Sequence, residues 1–137
     1  MVKNIFINLP VKDLARSENF FTQLGFAFNP QFSDDKAKCL VIADNIFAML
    51  LKEEFFKTFT KKEICDAQKY TEVLISIDAA SREEVKELVS KAKKAGGTIY
   101  AEPADHGWMY QDSFADLDGH QWEVVYMDVS KMTEEFS

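Results

Sequence analysis

Glu72 and Glu123 are the two carboxylates whose sequence surroundings point to chemistry. Glu123 lies between Trp122 and Val124 in a segment that alternates like a β-strand, and Glu72 precedes Val73 in another apolar run. An ionised carboxyl group among apolar side chains has a large desolvation cost unless it is paired, hydrated or bound to a metal ion. If both face one cavity, they form either an acid/base pair that shares a proton or a docking point for a cationic ligand.

The first half of the chain contains the elements that would position one side of such a cavity. The side chains of IFINLPV, residues 5–11, alternate with the period of two that is typical of a β-strand, so the two faces of this strand have different environments. Asp13 is a suitable N-cap for the helix LARSENFFTQL, and Gly25 is suited to end it. FAFNPQF, AKCLVIAD and NIFAMLLKE then read as three strands. This order predicts a βαβββ module.

The second half repeats this order. EVLISID predicts a strand, and the next helix starts with the capping box formed by Ser81 and Glu84 and ends at Gly96. TIYAEPA, MYQDSFADLD and HQWEVVYMD predict three further strands. We therefore predict one α+β domain over residues 1–137, with βαβββ modules at 1–52 and 72–128 and a connector at 53–71.

Superposing the halves identifies equivalent positions. Phe6 precedes the expected helix start at Asp13 by the same number of residues as Glu72 precedes the expected helix start at Ala79. This spacing makes Phe6 equivalent to Glu72. Aligning the turns that precede the last strands makes Met49 equivalent to Glu123.

The connector between the modules carries several aromatic residues among charged ones. We expect it to form a helical or loop flap, which is either a surface segment, a lid over a cavity or part of a dimer contact.

Composition limits the possible partners. The formal net charge of −7 argues against nucleic acid, and no long apolar segment or leader pattern is visible. Cys39 and Cys65 lack a C-x-x-C spacing and are typical of a reducing compartment. We therefore expect a cytoplasmic protein that binds neither nucleic acid nor membrane. The 12 Phe residues are compatible with an aromatic-walled cavity or with an ordinary core.

The two βαβββ halves, the opening segment LPVKDLARSENFFTQLGF and the closing segment DLDGHQWEV together resemble the vicinal oxygen chelate superfamily. This superfamily contains glyoxalase I, fosfomycin-resistance enzymes, extradiol dioxygenases and bleomycin-resistance proteins. The resemblance covers nearly the whole chain. It implies that each module curls into half of a barrel-like mixed sheet around a cavity, and that the protein is a homodimer.

The resemblance also implies where a metal ion would bind. Family ligands come from the first and last strands of the modules, usually His on the first and Glu on the last. Phe6 and Met49 occupy two of these four positions and cannot ligate a hard divalent ion, which leaves Glu72 and Glu123 as metal or catalytic candidates. Asn8 shares the face of Phe6 and offers a polar group there.

Two functional hypotheses follow. In the first, which we prefer, the protein needs no complete metal site and binds a small molecule in an acidic, aromatic-lined cavity, as bleomycin-resistance proteins do. Phe6, Asn8, Met49, Trp108 and Tyr110 are the expected ligand-binding residues, although Trp108 and Tyr110 would serve equally as ordinary sheet packing. In the alternative, the protein is a divalent-metal-dependent lyase resembling lactoylglutathione lyase, or an extradiol dioxygenase.

Overall fold

The computed structural model describes residues 1–131, which fall into two compact units. The first unit is Met1–Asp66, and the second begins at Ala67. Within the described residues, no helix is both long and apolar enough to span a membrane.

The first unit is a four-stranded mixed sheet with one main helix. Its strands have the order β1-β4-β3-β2, with β1 parallel to β4 and the other neighbours antiparallel. Short 3-10 turns follow β2 at Pro30–Phe32 and α2 at Lys57–Phe59. The elements are β1 (Ile5–Val11), α1 (Leu14–Gln23), β2 (Ala27–Asn29), β3 (Ala37–Ala43), β4 (Ile46–Lys52) and α2 (Glu53–Phe56).

The second unit repeats the arrangement, with the strand order β5-β8-β7-β6 and β5 parallel to β8. Its elements are β5 (Leu74–Asp78), α3 (Arg82–Lys94), β6 (Ala104–Asp105), β7 (Met109–Ala115) and β8 (Gln121–Met127). The predicted strand TIYAEPA is mostly irregular, since it contributes only a bridge from Thr98 to Ala115 and one residue of β6. The predicted α+β fold of two βαβββ modules is confirmed.

Local capping explains where the two main helices begin. Asp13 accepts a hydrogen bond from the Arg16 backbone N–H at 3.1 Å, and Ser81 accepts one from the Glu84 N–H at 3.1 Å. The Glu84 carboxylate in turn accepts from the Ala80 N–H at 2.6 Å. The second helix therefore starts after Ser81.

Each sheet buries one face beneath its helix. In the first unit, α1 contacts β3 and β4 and contributes the buried side chains of Leu14, Phe20 and Phe21. In the second unit, α3 packs on β7 and β8. Its core contains Val85, Val89, Ala92, Phe114, Trp122 and Val124.

The turn between β7 and β8 is anchored by a buried carboxylate. Asp116 Oδ1 accepts from the backbone N–H groups of Asp118 and His120, both at 3.0 Å, and Oδ2 accepts from the Trp122 indole N–H at 3.1 Å. Burial raises the pKa of Asp116, against the lowering effects of His120 and of the Trp122 hydrogen bond. The turn and the core are thus fixed to each other through one side chain.

The end of the connector lies directly against this turn. Gly119 has a φ of +92°, and a Cβ atom placed there would be 2.7 Å from the Ala67 carbonyl oxygen. The Gln68 side-chain amide donates to the Leu117 carbonyl at 3.2 Å, and the Thr71 hydroxyl group bonds to the Gln121 side-chain oxygen at 2.6 Å. Glycine is required at position 119 both by its φ and by the close approach of the connector backbone.

Candidate functional site

Glu123 lies on β8, an inner strand of the second sheet. The register places Ser76 of β5 opposite it on one side and Ser113 of β7 on the other. Trp122 and Val124, its chain neighbours, are buried in the core. Because successive side chains of a strand point to opposite faces, Glu123 projects from the face that α3 leaves uncovered.

Two neighbouring side chains hold the Glu123 carboxylate. The Ser76 hydroxyl group donates a hydrogen bond to Oε1, and the Gln111 side-chain amide donates to Oε2 at 2.9 Å. One bond to each oxygen fixes the plane of the carboxylate while leaving each oxygen with further acceptor capacity. Glu123 can therefore accept hydrogen bonds from a ligand without losing its own supports.

A cavity of about 400 Å³ opens beside Glu123 in the second unit. Its lining contains the three carboxylates Glu102, Asp112 and Glu123, and none of its lining residues is Lys, Arg or His. Leu74, Ala101 and Ala104 provide apolar wall. The volume is in the range of small-molecule sites, and the local charge favours cations.

Tyr100 is the aromatic residue of this cavity lining. Burial is the largest cause that raises the pKa of its phenol, and the charges of Glu123 and Asp112 raise it further. A hydrogen bond with Ser113 acts in the opposite direction. Because the net shift of the Tyr100 pKa is upward from 10.0, the phenol keeps its proton at neutral pH.

The predicted equivalence of Phe6 with Glu72 is wrong. In the sheets, Phe6 lies opposite Phe47, two residues before Met49, and Leu74 lies opposite Gln121, two residues before Glu123. The error arose because the count ran to Ala79, whereas the helix follows the capping residue Ser81, two residues later. The correct counterpart of Phe6 is Leu74.

Glu72 therefore has different surroundings from those of Glu123. It is exposed, precedes β5 and does not line the cavity. An exposed carboxylate is hydrated, which removes the desolvation argument that made Glu72 a candidate.

The open face of the first sheet contains the other residues of the predicted site. Phe6 is 50% exposed, and its ring stacks on Phe47 with 4.9 Å between centroids. Asn8 lies opposite Met49, and Cys39 is the neighbour of Met49 on β3. This face of the first unit thus carries aromatic rings, one thioether and one thiol, with Asn8 as a polar group on the edge strand β1.

Trp108 and Tyr110 do not line the cavity of the second unit. Tyr110 is buried, and its ring lies 5.4 Å from the Arg82 guanidinium carbon and 5.5 Å from the Lys86 ammonium nitrogen. It therefore points to the helix side of the sheet, as ordinary packing would require. The Trp108 carbonyl group accepts from the Asp128 N–H at 2.7 Å.

The residues at the four family positions do not fit a divalent metal centre. With the register corrected, these positions hold Phe6, Met49, Leu74 and Glu123, of which only the last has a side chain that ligates hard divalent ions. Within residues 1–131, no group of three or more His, Cys, Asp or Glu side chains is arranged to hold a metal ion.

Four residues around Glu123 did not emerge from sequence reasoning, and each depends on strand register or loop conformation. Ser76 and Ser113 flank Glu123 only because β5 and β7 pair with β8 in one particular register. Gln111 is two residues before Ser113 on β7, so its side chain lies on the same face of the sheet, and it could be identified once that register was known. Tyr100 lies in the segment 98–104, which the sequence predicts as a strand but which is mostly irregular, so strand alternation does not give its direction.

Comparisons with known proteins agree with this architecture. The sequence model of the glyoxalase/bleomycin resistance protein/dioxygenase superfamily matches residues 5–124. A hypothetical protein, SA1046, from S. aureus is 33% identical with a TM-score of 0.78, and the match covers 92% of this chain and 95% of that one. Comparison with curated protein sequences gave no match.

Two further solved structures share the fold. A glyoxalase-related enzyme from Fulvimarina pelagi has 18% identity and a TM-score of 0.76, with coverage of 92% of this chain and 88% of that chain. The fosfomycin resistance protein FosX from Listeria monocytogenes, complexed with Mn(II) and sulfate, has 22% identity, a TM-score of 0.71 and full coverage of both chains. The superfamily match spans most of the sequence, and its βαβββ modules are those found here. The chain therefore belongs to the glyoxalase/bleomycin resistance protein/dioxygenase superfamily.

Proposed function

We propose that this protein binds a small organic cation in the cavity of its second unit, and that Glu123 recognises the cationic nitrogen. The observation that carries the proposal is the Glu123 carboxylate, which is held by Ser76 and Gln111 at the wall of a cavity of about 400 Å³. A carboxylate held in one orientation needs little reordering when a ligand arrives.

The charge of the cavity supports a cationic ligand. None of the ion pairs formed within residues 1–131 involves Glu102, Asp112 or Glu123. Their negative charges therefore have no cationic side chain paired with them, and a bound ammonium group would gain Coulomb energy from all three. The net charge of −7 adds a favourable long-range field.

The side chains at the family's metal positions support binding without a metal ion. Phe6, Leu74 and Met49 are apolar, and Leu74 lines the cavity next to the polar groups. An organic cation with an apolar part would use both features, since its nitrogen would contact Glu123 and its hydrocarbon would contact Leu74. A hard metal ion would gain nothing from the apolar wall.

Calorimetric titration with phenethylamine, a primary ammonium ion at neutral pH, tests the proposal. We expect saturable binding at about one ligand per chain. Glu123→Gln should weaken it by about tenfold or more, because a hydrogen bond to a charged group contributes more than a neutral one. Glu72→Gln is the matched control and should leave the affinity unchanged, since Glu72 is exposed and outside the cavity lining.

A parallel titration with Mn²⁺ separates this proposal from metal-dependent chemistry. Saturable Mn²⁺ binding that is abolished by Glu123→Gln, without any phenethylamine binding, would overturn the proposal and restore the lyase and dioxygenase hypotheses. Phenethylamine binding that is insensitive to Glu123→Gln would overturn the assignment of Glu123.

A further inference from the structure

We propose that the ligand is an amino alcohol, with its ammonium group bound by Glu123 and its neighbouring oxygen bound by Tyr100. This inference rests on the proposed function and deepens it by naming the chemical class of the ligand. It stands on the presence of one fixed acceptor, Glu123, and one O–H donor, Tyr100, in the lining of the same cavity.

Tyr100 is available as a donor toward the cavity. Tyr100 lines the same cavity as Glu123, and a protonated phenol carries one O–H donor. Since the phenol remains protonated at neutral pH, Tyr100 presents an O–H group to a ligand oxygen.

Glu123 is an acceptor only. Its donors Ser76 and Gln111 occupy one position on each carboxylate oxygen, and the remaining lone pairs can accept N–H groups from a ligand. A primary ammonium group carries three such donors. A quaternary ammonium group carries none and would leave those lone pairs without a partner.

The size of the cavity limits the spacing between donor and acceptor. Ser113, which lines the cavity together with Tyr100, is the direct cross-strand neighbour of Glu123, and such neighbours have Cβ atoms about 5 Å apart. Because Tyr100 and Glu123 line one cavity of about 400 Å³, a short ligand can contact both. A two-carbon link between nitrogen and oxygen matches this arrangement better than a long chain.

The remaining wall suits a hydrocarbon substituent. Leu74, Ala101 and Ala104 line the same cavity and offer apolar contact away from the carboxylates. A phenyl or short alkyl group next to the amino-alcohol unit would bury apolar area there.

Matched probes and variants test the inference. The probes are 2-amino-1-phenylethanol and phenethylamine, which differ only in the hydroxyl group. We expect the wild-type protein to bind the amino alcohol about tenfold more tightly, which is the effect of one additional hydrogen bond. Tyr100→Phe should remove this preference and leave phenethylamine affinity unchanged. Tyr70→Phe, which alters an exposed phenol outside the lining, should retain the preference.

The outcomes separate the inference from the proposed function. Equal affinity of the two probes for the wild-type protein would overturn the inference while leaving amine binding intact. Equal weakening of both probes by Tyr100→Phe would assign only a packing role to the ring, which also overturns it. Failure of both probes to bind would overturn the proposed function itself. Far-UV circular dichroism of each variant confirms that it is folded before titration.

Discussion

The two sheets place different side chains at the same cross-strand positions. In each unit, a residue of the inner strand is flanked by one residue on the parallel neighbour and one on the antiparallel neighbour. The trios are Asn8, Met49 and Cys39 in the first unit, and Ser76, Glu123 and Ser113 in the second. The same backbone framework thus supports a thioether- and thiol-containing set in one unit and a hydrogen-bonded carboxylate in the other. The repeat determines where a side chain lies, and the residue type determines what chemistry is available.

The turns that lead into the two inner strands differ in the same way. In the second unit, Asp116 is 5% exposed and binds two backbone N–H groups and the Trp122 indole. In the first unit, Asp44 and Asn45 are exposed. We therefore expect the second turn to contribute far more to stability than the first.

Replacement of Asp116 by alanine should have the largest effect on stability. Its loss leaves the Trp122 indole N–H without its acceptor in the core, so we expect Asp116→Ala to lower the free energy of unfolding by about 3 kcal/mol. Asp44→Ala should change it by less than about 0.5 kcal/mol, as is usual for exposed positions. Urea denaturation followed by circular dichroism measures both variants. Equal losses would show that the two turns are energetically alike.

Replacement of one glycine in each unit gives a second comparison of the units, with a smaller expected effect on the free energy of unfolding. Gly119→Ala adds a methyl group 2.7 Å from the Ala67 carbonyl oxygen at a φ of +92°, so it should cost about 2 kcal/mol from strain and overlap. Gly25→Ala, at a φ of +101° with nothing within 4 Å, should cost about 1 kcal/mol from conformation alone. The same denaturation experiment measures the difference. A Gly25→Ala loss as large as that of Gly119→Ala would contradict the close approach.

The smallest effect concerns a surface ion pair of the second unit. Arg82 Nη1 lies 2.6 Å from Asp105 Oδ2, and Arg82 is the main cause that lowers the pKa of Asp105 below 3.8. A lowered folded-state pKa stabilises the protein above the unfolded value and loses that contribution as the pH falls through the folded value. Wild type should therefore be slightly more stable than Asp105→Asn at pH 7, and the difference should shrink as the pH falls below about 4 and vanish once the pH is below the lowered folded-state pKa of Asp105.

The first unit offers the matched control for this pair. Lys38 Nζ and Glu18 Oε2 are 4.0 Å apart, at the limit of an ion pair. Glu18→Gln should leave the unfolding midpoint unchanged across the same pH range. A pH-dependent loss in Glu18→Gln that matched Asp105→Asn would remove the distinction between the two units.

The fold was predictable because local signals and periodicity agreed. The capping residues Asp13 and Ser81 and the stop signals Gly25 and Gly96 stand at helix ends in the sequence as they do in the structure. Period-two alternation then identified most strands. The weak case was 98–104, where the chain is irregular and pairs only through a bridge and a two-residue strand.

The candidate site was predictable only in part, because a site depends on pairing between strands. Glu123 was identified from one carboxylate among apolar neighbours, a pattern visible in one segment. The error at Glu72 came from counting to Ala79 instead of to the N-cap Ser81, two residues later. Strand alternation keeps a side chain on the same face under a two-residue shift, so the alternation of β5 did not reveal the error. Ser76 and Gln111 became visible as partners of Glu123 only through the sheet register.

Both tryptophans of the chain belong to the second unit: Trp122 is buried in its core, and Trp108 precedes β7. Intrinsic tryptophan emission therefore reports on the Glu123 unit without a contribution from the first unit. An emission change during amine titration, or a fluorescence unfolding curve displaced from the circular dichroism curve, would be assigned to that half of the chain without any label.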